Sequence, residues 1–311
     1  MINVLVLGAT GKQGSHVSDA LLIEKTFVVH GLTRNCKSAG AKKLRERGGY
    51  PVEGDLSSRE SIEAALKGTN SSYMFIVTPL GTKESEKDYE IAAGKAAIDA
   101  AIACSLEFVV FSSTADADVC YDNITHWKSK SEIENYLKST GLRFAILRPV
   151  SFLDNFDDSQ SYNPLTRGCV KGLVSPNIKL KMVACRDVGK AAAKIFMNPD
   201  KFHEKTITCV SCDASGEEVA AALSSASNEP CKYSMQMPKW LMRLVIPDIA
   251  RMVTYLEEKG YSCTSDDISE FLDIVPDALD AEGFFKMKGR WADGEVFGTV
   301  PVPCQQVCEI V

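Results

Sequence analysis

The sequence predicts an α/β protein: a doubly wound parallel sheet followed by a smaller C-terminal α+β lobe. Two observations carry this. Short apolar runs alternate with segments of helical periodicity through residues 1–150, which is the pattern of a parallel sheet covered on both faces. The first run, Val4 to Leu7, also breaks directly into Gly8-Ala9-Thr10-Gly11-Lys12-Gln13-Gly14 before helical periodicity begins at Val17, Ala20 and Leu21. Gly8 suits the tight turn, Gly11 a close approach to a pyrophosphate, and Gly14 the packing of helix on strand. The unpaired N–H groups and partial positive charge at the helix start favour phosphate, so Gly8, Thr10, Gly11, Lys12, Gln13 and Gly14 are expected to cradle a dinucleotide. The spacing is G-x-x-G-x-x-G and not G-x-G-x-x-G. Its weight comes from the strand before it and the helix after it.

The second strand is Phe27 to Thr33, and where an acid would usually meet a ribose 2′-hydroxyl the chain has Thr33-Arg34-Asn35. An arginine fork there suits a 2′-phosphate and removes the repelling acid, so the expected cofactor is NADP(H). Tyr50 to Val52 is a third strand leading to Gly54-Asp55-Leu56-Ser57. Asp55 falls where such folds cover the adenine. Ser57 or Ser58 caps the next helix, with Gly68 at its end. Strand four, Tyr73 to Val77, ends at Thr78-Pro79 above the carboxyl edge where ligands sit. A helix from Glu84 to Cys104 is expected to bury Tyr89, Ala92, Ala93, Ala96, Ala97 and Ala100.

Strand five, Phe108 to Phe111, opens into Ser112-Ser113-Thr114 and a polar loop, 115–126, whose Asp116, Asp118, Asp122 and Asn123 read as a solvated turn without metal. A helix from Trp127 to Ser139 and strand six, Arg143 to Leu147, complete this half. Residues 1–150 are therefore expected to form the nucleotide domain. Residues 151–300 form a capping lobe interleaved with the sheet, with a cleft between the two, and 301–311 a fraying tail. Within the lobe, 168–174 reads as a hairpin arm. Two helices split at Pro247 would bury Trp240, Leu241, Leu244, Ile249, Met252 and Leu256.

Composition narrows the class. The chain has 311 residues and a net charge of −6, which argues against direct nucleic-acid binding. No apolar run has the length of a membrane span and no basic leader precedes one, so the expected location is the cytoplasm. Eleven cysteines are scattered, and the lone Cys209-Val-Ser-Cys212 has no second pair; buried, reduced thiols are expected.

These residues resemble the NmrA-like branch of the atypical short-chain dehydrogenases over residues 2–295, a Rossmann-type fold. The likeness is nearest to animal NmrA-like redox-sensor proteins. It rests on the glycine loop, Thr33-Arg34-Asn35, Gly54-Asp55-Leu56, His126-Trp127-Lys128-Ser129-Lys130 with Glu134 and Tyr136, Leu147-Arg148-Pro149 with Phe152 and Asn155, and Asp187-Val188-Gly189-Lys190. The resemblance implies NADP(H) contacts at Leu56, Thr78 and Lys130 besides Arg34 and Asp55. It also implies a regulatory protein partner, a homodimer in some states, and the nucleus as a second location. Catalytic relatives use Tyr-x-x-x-Lys, in which lysine holds ribose and lowers the tyrosine pKa. Here His126 replaces the tyrosine and Lys130 is kept, so His126 and Lys130 are the candidate catalytic pair, with Ser113 and Thr114 near the carbonyl-polarising position and Tyr121 as another phenol. The incomplete set favours sensing over turnover, with an NADPH-dependent reductase of a small carbonyl, quinone or unsaturated compound as the alternative. The loops 34–38, 78–86 and 112–126 are expected to order with cofactor.

Overall fold

The computed structural model describes residues 1–79, 84–119, 124–157 and 168–288. Tyr121, Asp122, Asn123 and the expected tail lie outside the described residues.

In chain order the first elements are β1 (Ile2–Val6), α1 (Lys12–Ile23), β2 (Phe27–Thr33), α2 (Ala39–Glu46), β3 (Tyr50–Glu53), α3 (Arg59–Thr69), β4 (Tyr73–Val77), α4 (Glu84–Ala103), β5 (Phe108–Ser112), α5 (Thr125–Lys138) and β6 (Phe144–Pro149). They are followed by β7 (Ser151–Phe152), a 3₁₀ turn (Leu153–Asp157), β8 (Cys169–Gly172), β9 (Lys179–Val183), α6 (Cys185–Met197), α7 (Pro199–Phe202), β10 (Thr206–Cys209) and β11 (Cys212–Ser215). The last are α8 (Gly216–Ser227), β12 (Lys232–Met235), α9 (Lys239–Val245), α10 (Pro247–Glu258), α11 (Ser265–Ile274) and α12 (Ala281–Lys288).

The described chain divides into two compact units. The first joins residues 1–150 with 185–210 and 262–278. Its seven strands run parallel in the order β10-β6-β5-β4-β1-β2-β3, so the doubly wound sheet is present and gains β10 beside β6. Alternate β1 residues serve the two faces. Leu5 and Leu7 join Ile62, Ile98, Phe111, Ile133 and Leu137 in one core, while Val4 and Val6 are equally buried. Phe196 of α6 stacks on Tyr73 and meets Phe27 and Phe108 edge-on, which explains why a helix distant in sequence belongs to this unit.

Local chemistry sets the helix ends. Ser38 and Ser58 accept from Ala41 and Ser61 N–H groups at the starts of α2 and α3. Helix α3 is closed not by Gly68 but by Asn70 in the left-handed region, a conformation asparagine tolerates better than most residues. The phase of α4 also differs from expectation. Tyr89 and Ala92 are exposed, and Glu90 is wholly buried among Ile91, Ala93, Ala97 and Ile98.

The second unit holds a three-stranded sheet, β11-β9-β7, and a parallel pair, β12-β8. The expected hairpin at 168–174 is thus a single strand, β8, whose partner comes from residues 232–235. Leu153, Phe156, Val170, Met182, Leu223, Phe284 and Phe285 make its core. Helices α9 and α10 do split at Pro247, but Trp240 and Leu244 face outward at 64% and 74% exposure, and Met242 is the residue turned in. The signal for α11 is the capping box of Thr264 and Asp267. No helix among the described residues is long and apolar enough to cross a membrane.

Candidate functional site

The strand order reverses between β1 and β4, and the segments leaving the carboxyl ends of β1, β4 and β5 flank that switch point. Gly8 has φ of +66°, which a side chain would resist, and its carbonyl accepts from the Gly11 N–H at 2.9 Å. Gly14 permits a still closer approach: a Cβ there would stand 2.2 Å from the Gly8 carbonyl oxygen. Gly11 is exposed at the N-cap of α1 in extended backbone, where a Cβ would stand 3.3 Å from the same oxygen. Thr10 and Lys12 are exposed beside it, and Gln13 Oε1 accepts from Ser112 Oγ at 2.6 Å. Gly40 of α2 packs on Thr10, whose Cβ would lie 2.8 Å from a Gly40 Cβ.

Beyond β2, the Asn35 carboxamide accepts from the Lys37 N–H and Thr33 Oγ1 from the Asn35 N–H, giving a tight turn with Arg34 at its exposed tip. Among the described residues the Arg34 guanidinium makes no hydrogen bond and no ion pair of its own. Asp55, also exposed, accepts from the Ser57 N–H and hydroxyl. Those two bonds, and more weakly the charge of Arg34, hold its carboxyl below the ordinary range. Leu56 is half-buried next to it.

Thr78, Glu90, Ser129 and Lys130 form a buried polar knot that the sequence does not reveal. Thr78 Oγ1 donates to Glu90 Oε1 at 2.8 Å, Ser129 Oγ donates to Glu90 Oε2 at 2.5 Å, and Lys130 Nζ lies 3.1 Å from Glu90 Oε1. Nothing in periodicity marks Glu90, since a buried carboxylate interrupts the apolar face it belongs to.

His126 stands in the first turn of α5, not in a loop; it is 5% exposed, with its ring edge-on to Trp127 at 6.2 Å. Ser113, one residue past β5, is buried, and its hydroxyl has no hydrogen-bond partner among the described residues. In the described part of the segment after it, residues 115–117 are buried and not solvated, while Asp118 and Val119 are exposed. Asp116 is 4% exposed, has φ of +59°, and receives the Ser262 N–H on both oxygens and the Ser262 hydroxyl on one. Asp118 pairs with Arg148 at 2.8 Å, and Arg148 also grips both oxygens of Glu134. Burial works against the Arg148 charge, but Glu134 and Asp118 outweigh it and raise its pKa.

Burial pushes the Cys209 thiol well up and Cys212 up to about 12, so neither is a thiolate near neutral pH. No three His, Cys, Asp or Glu among the described residues are placed to hold a metal.

The family model of the NmrA-like family matches residues 2–285. The chain belongs to the NmrA-like family. An NmrA-like family domain-containing oxidoreductase of Aspergillus campestris is 27% identical over 269 residues, covering 77% of this chain and 76% of its own length. Two solved structures share the fold. The negative transcriptional regulator NmrA, in complex with NADP, has a TM-score of 0.71 at 19% identity, covering 92% of this chain and 94% of its own; it has also been solved with NAD. The NADPH-dependent quinone oxidoreductase of Escherichia coli, in complex with NADPH, has a TM-score of 0.70 at 20% identity, covering 92% of this NmrA-like chain and 99% of its own.

Proposed function

We propose that this NmrA-like protein binds NADP(H) at the carboxyl edge of its parallel sheet and serves as a redox regulator, its conformation and partner binding following NADPH occupancy. The observation that carries the reading is Arg34, an exposed guanidinium at the end of β2 with no bond of its own among the described residues and no acid in its place. A 2′-phosphate suits such a fork. The glycine loop fits the rest of the group: Gly8 and Gly14 hold a turn that no side chain would allow, and Gly11 leaves the start of α1 open to phosphate oxygens. In this reading Thr10, Lys12 and Gln13 flank the pyrophosphate, Asp55 and Leu56 the adenine, and Thr78 the cofactor's far end. Bound NADPH would supply a hydride to a neighbouring acceptor.

Regulation is favoured over turnover because the place of the catalytic tyrosine holds His126, buried against Trp127. A protein partner and a homodimer are part of the same proposal. The second reading, an NADPH-dependent reductase of a carbonyl, quinone or unsaturated compound, draws on the Ser113 hydroxyl, unbonded among the described residues, and on relatives named as oxidoreductases. Calorimetric titration with NADPH and NADH tests the cofactor, and NADPH absorbance with a panel of quinones and aldehydes separates the two readings. Binding of NADPH without oxidation supports the regulator; steady oxidation supports the reductase.

A further inference from the structure

We propose that the exposed face of α9 is a docking surface for an acidic amphipathic helix of another protein. The face belongs to the second unit, which holds none of the residues given to the cofactor, so the inference goes beyond the NADP(H) reading and stands without it. Helical spacing puts Trp240 and Leu244 on one ridge, with Lys239 and Arg243 on the ridge beside it. Trp240 is 64% exposed and Leu244 74%, and Val245 widens the apolar patch. Tryptophan and arginine side by side are the residue types that anchor protein interfaces.

The helix beneath this face is firmly seated. Met242 is buried and packs with Val174, Ala250 and Val253. Lys239 pairs with Glu257, whose other carboxylate oxygen accepts the Ser175 N–H at 2.7 Å and hydroxyl at 2.9 Å. Met237 and Met252 lie half-buried against the same cluster, and such unbranched side chains let a floor adapt to what lands on it.

Charge and area select the occupant. Residues 230–247 contain Lys232, Lys239 and Arg243 and no acid, in a chain of net charge −6. Arg243 makes no ion pair among the described residues, so an acid on the partner would answer it. A second copy laying its own α9 on this one would set Lys239 and Arg243 against their like. The apolar patch is also on the order of a few hundred Å², a size that marks function but falls short of the about 800 Å² per partner of a standard interface. A single helix fits that area. An anionic bilayer is held by clusters of about 4–8 cations, more than this face presents.

The test uses the full chain without cofactor and labelled peptides of about 18 residues, long enough for helix: one amphipathic in Leu and Glu, one in Leu and Lys. Anisotropy should show the Leu/Glu peptide bound in preference. Trp240→Ala and Arg243→Glu should each weaken it about tenfold or more at unchanged melting temperature, both sites being exposed. Leu244→Ala should act in the same direction, while Lys205→Glu, an exposed cation of the first unit, should change affinity by less than about twofold. Failure of the Leu/Glu peptide to bind, equal binding of both peptides, or affinity indifferent to Trp240 and Arg243 overturns the proposal. So does self-association of the wild type that Trp240→Ala abolishes, or Trp240-dependent binding to phosphatidylserine vesicles in place of peptide. Wild-type protein that takes no NADPH would sink the cofactor reading and leave this result as it stands.

Discussion

Gly189 of α6 presses so closely on His16 of α1 that a Cβ on the glycine would stand 2.5 Å from the His16 carbonyl oxygen. The Asp187-Val188-Gly189-Lys190 motif is thereby explained as packing: it lets α6 lie against the helix whose N-terminus ends the glycine loop. Its flanks are braced as well, since Asp187 accepts from Arg186 at 2.7 Å and Lys190 pairs with Asp277. Gly189→Val should force the helices apart and cost about 1–3 kcal/mol of stability, the range for overpacking. Chemical denaturation checks this, and an unchanged midpoint would show that α1 and α6 adjust without strain.

Gly14 and Gly11 of the loop should separate by what they tolerate. Gly14→Ala puts an atom into the Gly8 carbonyl and should destabilise the fold. Gly11 is exposed with ordinary extended backbone, so Gly11→Leu should keep the wild-type melting temperature and still lose NADP(H) and NAD(H) together. Ordinary cofactor affinity in the folded Gly11→Leu protein would mean that the loop does not receive a pyrophosphate.

In the proposed reading, Arg34 carries the choice between cofactors. Arg34→Ala should weaken NADPH by roughly 1.5–3 kcal/mol, as for loss of a charge-assisted hydrogen bond, and leave NADH almost unchanged. Titration of both cofactors decides it, and equal losses would make Arg34 a structural residue of its turn.

Asp118 supplies a test by pH. Bonds to Arg148 outweigh the opposing effect of burial and lower its pKa. A carboxyl lowered on folding contributes stability above its unfolded value, about 3.9, and that contribution fades as pH falls through the lower folded value. The Asp118 side chain is 57% exposed, so the contribution is small, on the order of 0.2–1 kcal/mol. Asp118→Asn should therefore be slightly less stable than wild type at pH 7, and the two denaturation curves should converge in acid. A gap that persists below the folded pKa would point to packing and not charge.

How legible each residue is in the sequence depends on what fixes it. The strands and the glycine loop are plain because an apolar run followed at once by closely spaced glycines leaves the backbone few conformations that bury the one and use the other. The position of Arg34 at the exposed tip of the turn after β2 is readable from spacing alone, since that turn is local. Glu90 is not. Its partners Thr78, Ser129 and Lys130 converge only in three dimensions, and a carboxylate on a buried face shifts the apparent phase of α4 onto Tyr89. Asp116 is obscured in the same way, because its anchor at Ser262 is 146 residues away. The parallel partnership of β8 with β12 is hidden because short strands near one another suggest a hairpin by default.

Those long-range anchors change where a cofactor signal is to be sought. A ligand shifts a conformational equilibrium only if it binds the two states unequally. The segment after β5 has the composition of a mobile loop, yet in residues 113–119 the Ser113 and Ala115 N–H groups bond to Leu147 and Pro149, and Asp116 and Asp118 are both held. These bonds are all to the protein's own groups. The turn at 34–38 is different, being held by its own Thr33 and Asn35 and exposing Arg34 and Lys37. NADPH should therefore slow hydrogen exchange most at 34–38 and around Gly8 to Gly14, and little across 113–119. If the protein is a regulator, NADPH should also change self-association or partner capture with no turnover. His126→Ala should leave that change intact, and Arg34→Ala should move it to higher NADPH concentration. The reductase reading predicts the opposite for His126: oxidation of NADPH is lost and assembly is untouched. Robust His126-dependent oxidation of NADPH by a carbonyl or quinone would rule out regulation without catalysis. An exchange map that stays flat at saturating NADPH would remove the ordering mechanism as well.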